Sequence, residues 1–215
     1  MTDKINKLFK GKENISSIKI LALITATAVL RKEKVFRMLL EYSRIKKFNS
    51  KKIYEAVLQT YLFAGFPNAL ISLSILNEYF PNCSKDSKQE NCKNFDKIGE
   101  ATCRKIYGNK FEKLISNTKK FSPELAEWLI AEGYGKVLSR KILSLKEREL
   151  LNISILTALK FENQLYSHIN GAYRLKVKIN LINEIISSLE ILGSDKYSIF
   201  GMKVLNKFME QKRVK

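Results

Sequence analysis

The chain has 215 residues, long enough for one or two domains with a real core, and its 45% hydrophobic content excludes general disorder. Nine Gly and three Pro, beside abundant Leu, Ile, Lys and Glu, disfavour a turn-rich β fold and favour long helices. The net charge of +18 comes from basic residues spread along the whole length, with no nucleic-acid motif among them. It reads as a solvated Lys-rich surface that can steer a small anionic substrate, with no specific nucleic-acid partner.

In chain order, residues 19–30 form an apolar helix. A basic flank and Ala26-Thr27-Ala28 mimic a secretory signal, but Asp3 and Glu13 lie in that flank and the segment has a counterpart deep in the chain. It is also too short for a membrane span. It is expected to be a buried helix of a cytoplasmic protein. Residues 21–44 lie over residues 151–174 as an internal repeat. Each copy starts with an Ala/Ile/Leu-rich helix, breaks at a polar corner (Arg31-Lys32-Glu33; Lys160-Phe161-Glu162) and resumes as a second helix. A third helix follows, over 51–64 behind Asn49-Ser50 and over 181–192 behind Asn180, residues whose side chains suit N-caps. Ile53-Tyr54-Glu55 matches Ile182-Asn183-Glu184. A fourth helix covers 67–80, with Pro67 in its first turn, and 195–209.

Between the copies, residues 81–89 are polar and read as a linker, and 94–107 and 110–115 as short amphipathic helices. Ser122-Pro123-Glu124 is a strong helix start: a cap, a first-turn proline, then an acid near the positive end of the dipole. That helix holds Leu125, Leu129 and the single tryptophan, Trp128, expected in the core or an interface. Gly133 and Gly135 are expected to end it as left-handed caps. No stretch alternates as a strand would. The fold class is all-α, divided as 1–80 (a degenerate repeat), 81–93 (a linker) and 94–215 (a complete unit).

Cys83, Cys92 and Cys103 lack C-x-x-C spacing, which argues against a redox pair or a four-ligand zinc site; ordinary reduced thiols are the simplest account. His168 is the one histidine. Histidine is the residue type suited to proton transfer near neutral pH, so any such chemistry centres there. A lone histidine on a helix is also often structural, and Glu149 reads equally as a surface partner of Lys146 or Arg148.

The order of several segments resembles the carboxymuconolactone decarboxylase family, related to the alkylhydroperoxidase D family. Phe121-Ser122-Pro123-Glu124-Leu125-Ala126-Glu127-Trp128 and Tyr134-Gly135-Lys136-Val137-Leu138-Ser139-Arg140 look like that family's entry helix and following turn. Residues 145–158 look like its next helix, and His168-Ile169-Asn170-Gly171-Ala172 like its histidine helix. Ile53-Tyr54-Glu55-Ala56-Val57-Leu58-Gln59 and Tyr61-Leu62-Phe63-Ala64-Gly65-Phe66-Pro67 look like its final helices.

The resemblance implies tandem helical repeats that assemble as a homotrimer with pseudo-hexameric packing. It implies a cofactor-free carboxy-lyase acting on a small anionic lactone or keto acid, with no metal. His168 is then the general acid/base, Glu149 its orienting partner, Arg140 a carboxylate clamp, and Tyr134 and Ser139 pocket residues. In the peroxidase branch a C-x-x-C precedes the histidine; its positions fall on Phe161 and Gln164 here, so the thiol cycle is absent from this site. In the first copy the positions of Glu149 and His168 are read as Lys19 and Met38. The alternatives are a peroxidase relative whose Cys83, Cys92 or Cys103 reaches the pocket, and a non-catalytic basic helical oligomer.

Overall fold

The computed structural model describes residues 15–84 and 94–213, and among these every regular element is helical. Two helices form the centre. Helix α1 (Ser17–Val29) is buried from Ile20 to Val29, and the later Leu145–Leu159 helix from Arg148 to Ala158. A helix apolar all round has no solvated face and must be enclosed. The two pack on each other, and Ser154 Oγ donates across the contact to the carbonyl of Ala22 (2.8 Å or less being the usual hydroxyl range; here 2.7 Å). Thr25, Thr27 and Thr157 are buried polar residues that bond carbonyls of their own helices.

Around this pair lie α2 (Glu33–Ile45), α3 (Ser50–Gln59) and α4 (Tyr61–Tyr79) from the first half. The second half adds α5 (Phe95–Tyr107), α6 (Phe111–Lys119), α7 (Pro123–Trp128), α8 (Leu145–Leu159), α9 (Glu162–Arg174), α10 (Ile179–Ser188) and α11 (Lys196–Arg213). One hydrophobic cluster runs through both halves, from Ile20 to Leu76 and from Leu143 to Phe208. A smaller one holds Cys103, Ile106, Phe111, Tyr134 and Leu138. No single helix among the described residues is long and apolar enough to cross a membrane.

The polar corners recur with fixed spacing. Glu33 and Glu162, which open α2 and α9, and Ser50 and Ile179, which open α3 and α10, are each 129 residues apart. The left-handed residues follow the same interval: Arg31 pairs with Lys160, and Lys47 with Lys176. Each closes a helix in the same way, with the next amide bonding back five residues: Lys32 to Thr27, Phe161 to Leu156, Phe48 to Ser43, Val177 to Ala172. A cation at each left-handed position also suits the negative end of the helix dipole.

Local signals behaved unevenly. Asn49 caps α3, accepting from Lys51 and Lys52, and Ser122 caps α7, accepting from Leu125 at 3.0 Å. Asn180 caps nothing: α10 begins at Ile179 behind Lys178, which offers no side-chain cap. The third helix stops at Gln59, and α4 starts at Tyr61 with a 115° bend between them. Gly65, at φ 74°, breaks α4 just ahead of Pro67. Residues 81–84 form a turn, and the rest of the expected linker, with Cys92, lies outside the described residues.

Gly133 and Gly135 are not left-handed caps. The chain continues past α7 as a π-helix, Leu129–Leu138, and neither glycine has positive φ. Their use is close approach. A Cβ at Gly135 would stand 2.3 Å from the carbonyl oxygen of Phe95, and one at Gly99 would stand 2.0 Å from that of Ile130. Helix α5 and the π-helix therefore touch backbone to backbone. Gly99→Ala is expected to cost about 3 kcal/mol, the upper end for overpacking, because backbone on both sides cannot yield; urea denaturation of the variant beside wild type measures it, and an unchanged midpoint would contradict the contact.

Candidate functional site

Helices α8 and α9 run side by side, and their facing surfaces bring Glu149 and His168 together. His168 Nδ1 lies 2.9 Å from Glu149 Oε2. Glu149 has no solvent exposure and His168 is 7% exposed. The contact needs Gly171, one turn after His168, since a Cβ there would come within 2.8 Å of the same carboxylate oxygen. Asn152, one turn along α8, donates to Glu149 Oε1 at 3.0 Å. With both carboxylate oxygens accepting, Nδ1 carries the proton and Nε2 faces away from Glu149. Nε2 makes no hydrogen bond to the described residues. Since no buried side-chain N or O atom among the described residues lacks a partner, Nε2 is not sealed from solvent.

Rings form the wall on the other side. Tyr107 of α5 meets the His168 ring edge-on, centroids 6.4 Å apart, and meets Tyr134 in the same way at 6.1 Å. Tyr134 donates its hydroxyl to that of Tyr107 at 3.2 Å. Burial pushes both phenols well above their usual range, so both stay protonated at neutral pH. Cys103, also on α5, is wholly buried in this wall. Burial first, then the charge of Glu149, pushes its thiol up to about 12. Of the three cysteines, Cys103 is placed at the site's edge, beside Tyr134. It stands there as a neutral thiol, a poor nucleophile.

Behind Glu149 the polar contacts continue into the core. Asn152 Oδ1 accepts from Gln59 Nε2 at 2.5 Å. Gln59 Oε1 accepts from Arg148 Nη1 at 3.0 Å, and Arg148 Nη2 donates to Glu55 Oε2 at 2.8 Å. Arg140 completes the line, donating through Nε and Nη2 to Glu55, with Nη2 at 2.6 Å from Oε1. Arg148 is 1% exposed and Glu55 not at all. Burial pushes the Glu55 carboxyl up, but the two guanidinium partners outweigh it and hold it below the usual range.

Of the residues singled out in the sequence, the structure brings Glu149, His168 and Tyr134 together. Arg140 sits at the far end of the polar line, its donors occupied by Glu55. Ser139 donates its hydroxyl to the Gly135 carbonyl in the π-helix. Tyr107, Asn152, Gln59, Glu55 and Arg148 were not assigned roles from the sequence. Glu55 and Gln59 carried a signal all the same: a charge and an amide four residues apart on an otherwise apolar face.

The structure also shifts the repeat by one residue. At the 129-residue spacing the first-half counterparts of Glu149 and His168 are Ile20 and Leu39, both buried and apolar, in place of Lys19 and Met38. Lys19 instead corresponds to Arg148, and Glu55 to Glu184. Lys19 holds Glu184 at 2.5 Å, just as Arg148 holds Glu55, so each half reaches across to the other.

Two outcomes test this geometry. Glu55→Gln keeps the shape but strands the buried Arg148 charge, and is expected to destabilise by about 3–5 kcal/mol. A carboxylate held below its unfolded value contributes stability above that value and loses it as pH falls through the folded one. The gap between wild type and variant in urea melts should therefore be full at neutral pH and shrink on acidification below the ordinary carboxylate range. A gap constant down to strong acid would contradict the pairing. In the native protein iodoacetamide should modify Cys83, which is half-buried, well before Cys103, with the difference lost in urea; peptide mapping reads both.

No protein-family model matches this chain, and no curated protein matches it.

Proposed function

We propose that this chain is a carboxymuconolactone decarboxylase-like enzyme that decarboxylates a small anionic lactone or keto acid, with His168 as its proton donor. The observation that carries the reading is Nε2 of His168: oriented by the buried Glu149, unpaired, and open to solvent in a wall of satisfied polar groups. In the reaction the carbon–carbon bond to the carboxylate breaks, CO₂ leaves, and the electron pair stays behind as an enolate. Nε2, after taking a proton from solvent, delivers it to that carbon, while Nδ1–H stays bonded to Glu149. Tyr107 and Tyr134 give the site one wall of aromatic ring surface. No group beyond the chain's own side chains is needed for these steps.

Arg140 acts in this reading as the counter-ion that fixes Glu55, because a carboxylate clamp would have to displace that partner. The positive surface steers the anionic substrate. The same reading makes the chain two tandem copies of the family's helical unit, the first without a site; the 129-residue recurrence of the corners supports duplication. Exposed Phe66, Leu70, Phe121, Leu125 and Trp128 support a homotrimer with pseudo-sixfold packing, since oligomer interfaces cover apolar side chains of this kind, and the reading keeps the protein cytoplasmic. Trp128, at 64% exposure, is thus kept as an interface residue and not a core one.

The peroxidase alternative is weakened by the protonated state of Cys103. A purely structural role for Glu149 and His168 is the second reading, favoured by the unbroken line of bonds from Glu149 to Glu55.

The experiment is CO₂ release from 4-carboxymuconolactone by wild type and His168→Ala, with the oligomer checked by light scattering. Loss of about 10²- to 10⁴-fold in kcat, with the fold and oligomer intact, is the expected result for removal of a general acid. Equal turnover by both proteins would sink the catalytic assignment and leave the structural reading.

A further inference from the structure

A second feature lies at the far end of α9, six residues and roughly 9 Å of helix beyond His168. A surface cleft of about 720 Å³ opens there between α5, the α9–α10 corner and the end of α11. Five of its lining residues are cations, Lys105, Arg174, Lys176, Lys178 and Lys212, and none is an acid. Among the described residues none of the five forms an ion pair. Arg37, Arg44, Arg104, Arg140 and Arg148 each hold a carboxylate, whereas the Arg174 guanidinium donates no hydrogen bond to any described residue.

Two of the cations pack against the protein without a carboxylate partner among the described residues. The guanidinium of Arg174 lies against Gly108, where a Cβ would come within 1.8 Å of Nη2. Lys212 sits over the rings of Tyr173 and Phe208, 5.3 and 5.6 Å from their centroids. Lys178 stands at the N-terminus of α10 with no side chain capping the first-turn amides. The first half of the chain shows the alternative. At the corresponding corner Ile45 stands in the place of Arg174, and Asn49 in that of Lys178, where it caps α3 itself. The same turn is self-satisfied in one half and basic and open in the other.

We infer that this cleft binds a compact ligand bearing two or more phosphate groups. Five cations with no carboxylate partner among the described residues repel each other across this cleft, and a multiply charged anion removes that repulsion while taking the charge-assisted bonds of Arg174 and the lysines. The cleft is open to solvent, and its five cations are gathered around one depression and not drawn out as a stripe that would track a nucleic-acid backbone. The site is independent of His168 and of the reaction proposed above.

The test uses the full chain and inorganic tripolyphosphate, titrated by calorimetry at low and raised salt. Three proteins are compared: wild type, the double variant Lys105→Ala/Lys212→Ala, and the control Lys119→Ala/Lys120→Ala, which removes the same charge from a different surface. Binding by wild type and control that weakens about tenfold or more in the cleft variant is expected, from the loss of two charge-assisted contacts. Equal weakening in both variants would show a diffuse field and overturn the site, as would no binding by wild type. Lys178→Asn, which restores the cap found at Asn49, should also weaken binding and leave the fold intact by circular dichroism. Cleft-dependent binding of a single-stranded oligonucleotide with none of tripolyphosphate would overturn the small-ligand assignment.

Discussion

Two carboxylates and a guanidinium, Glu55, Glu149 and Arg148, sit inside the core with essentially no exposure. Charges removed from water at that depth are costly unless every lone pair and proton is matched, and this requirement shapes much of what surrounds them. Glu55 takes two arginines, Glu149 takes a histidine and an asparagine, and Gln59 joins the two groups. The line crosses from α3 to α8 and on to α9, so the two halves of the chain cannot be pulled apart without exposing unmatched charge. The same line fixes the tautomer of His168, because both oxygens of Glu149 accept. Stability and the candidate chemistry thus rest on one set of contacts.

The repeated corners set the stage on which that line is drawn. A left-handed cation after each central helix turns the chain sharply, and the same bond pattern recurs 129 residues later. Equal spacing between the corners brings Lys19 to Glu184 as it brings Arg148 to Glu55. The halves differ where the scaffold does not constrain them. One presents Ile20 and Leu39 to the core at the positions where the other presents Glu149 and His168. One caps its third helix with Asn49, and the other leaves the equivalent turn basic. The two halves thus differ at the polar site and at the cleft, while α1 and α8 are both buried.

The segment with no counterpart in the first half completes the site's wall. Helix α5 and the π-helix meet backbone to backbone at Gly99 and Gly135. That close approach carries Tyr107, Tyr134 and Cys103 against the α8–α9 pair. A π-helix is seldom this long, and its wider turn is a local cost that tertiary contact must offset. The wall it supports flanks the His168 ring on one side through Tyr107.

Much was legible in the chain alone. The apolar run over residues 19–30 marked α1 as a buried helix, because it offered little polar face to solvate. Asn49 and Ser122 marked helix starts, since a cap acts through its own first turn. The all-helical class followed from few turn residues and no alternation. Glu149 and His168 stood out as residue types. The rest depended on distance in space. Whether Gly133 and Gly135 end a helix or admit a neighbour depends on what packs there, and Phe95 decided it. The repeat was visible, but its register by one residue was not: apolar residues at adjacent positions look interchangeable in sequence, and only the bend at each corner counts them. The partners of Arg140, the place of Cys103 and the gathering of five cations in one cleft are long-range facts. Residue chemistry says that a buried charge must be matched, and only the tertiary structure says by which side chain.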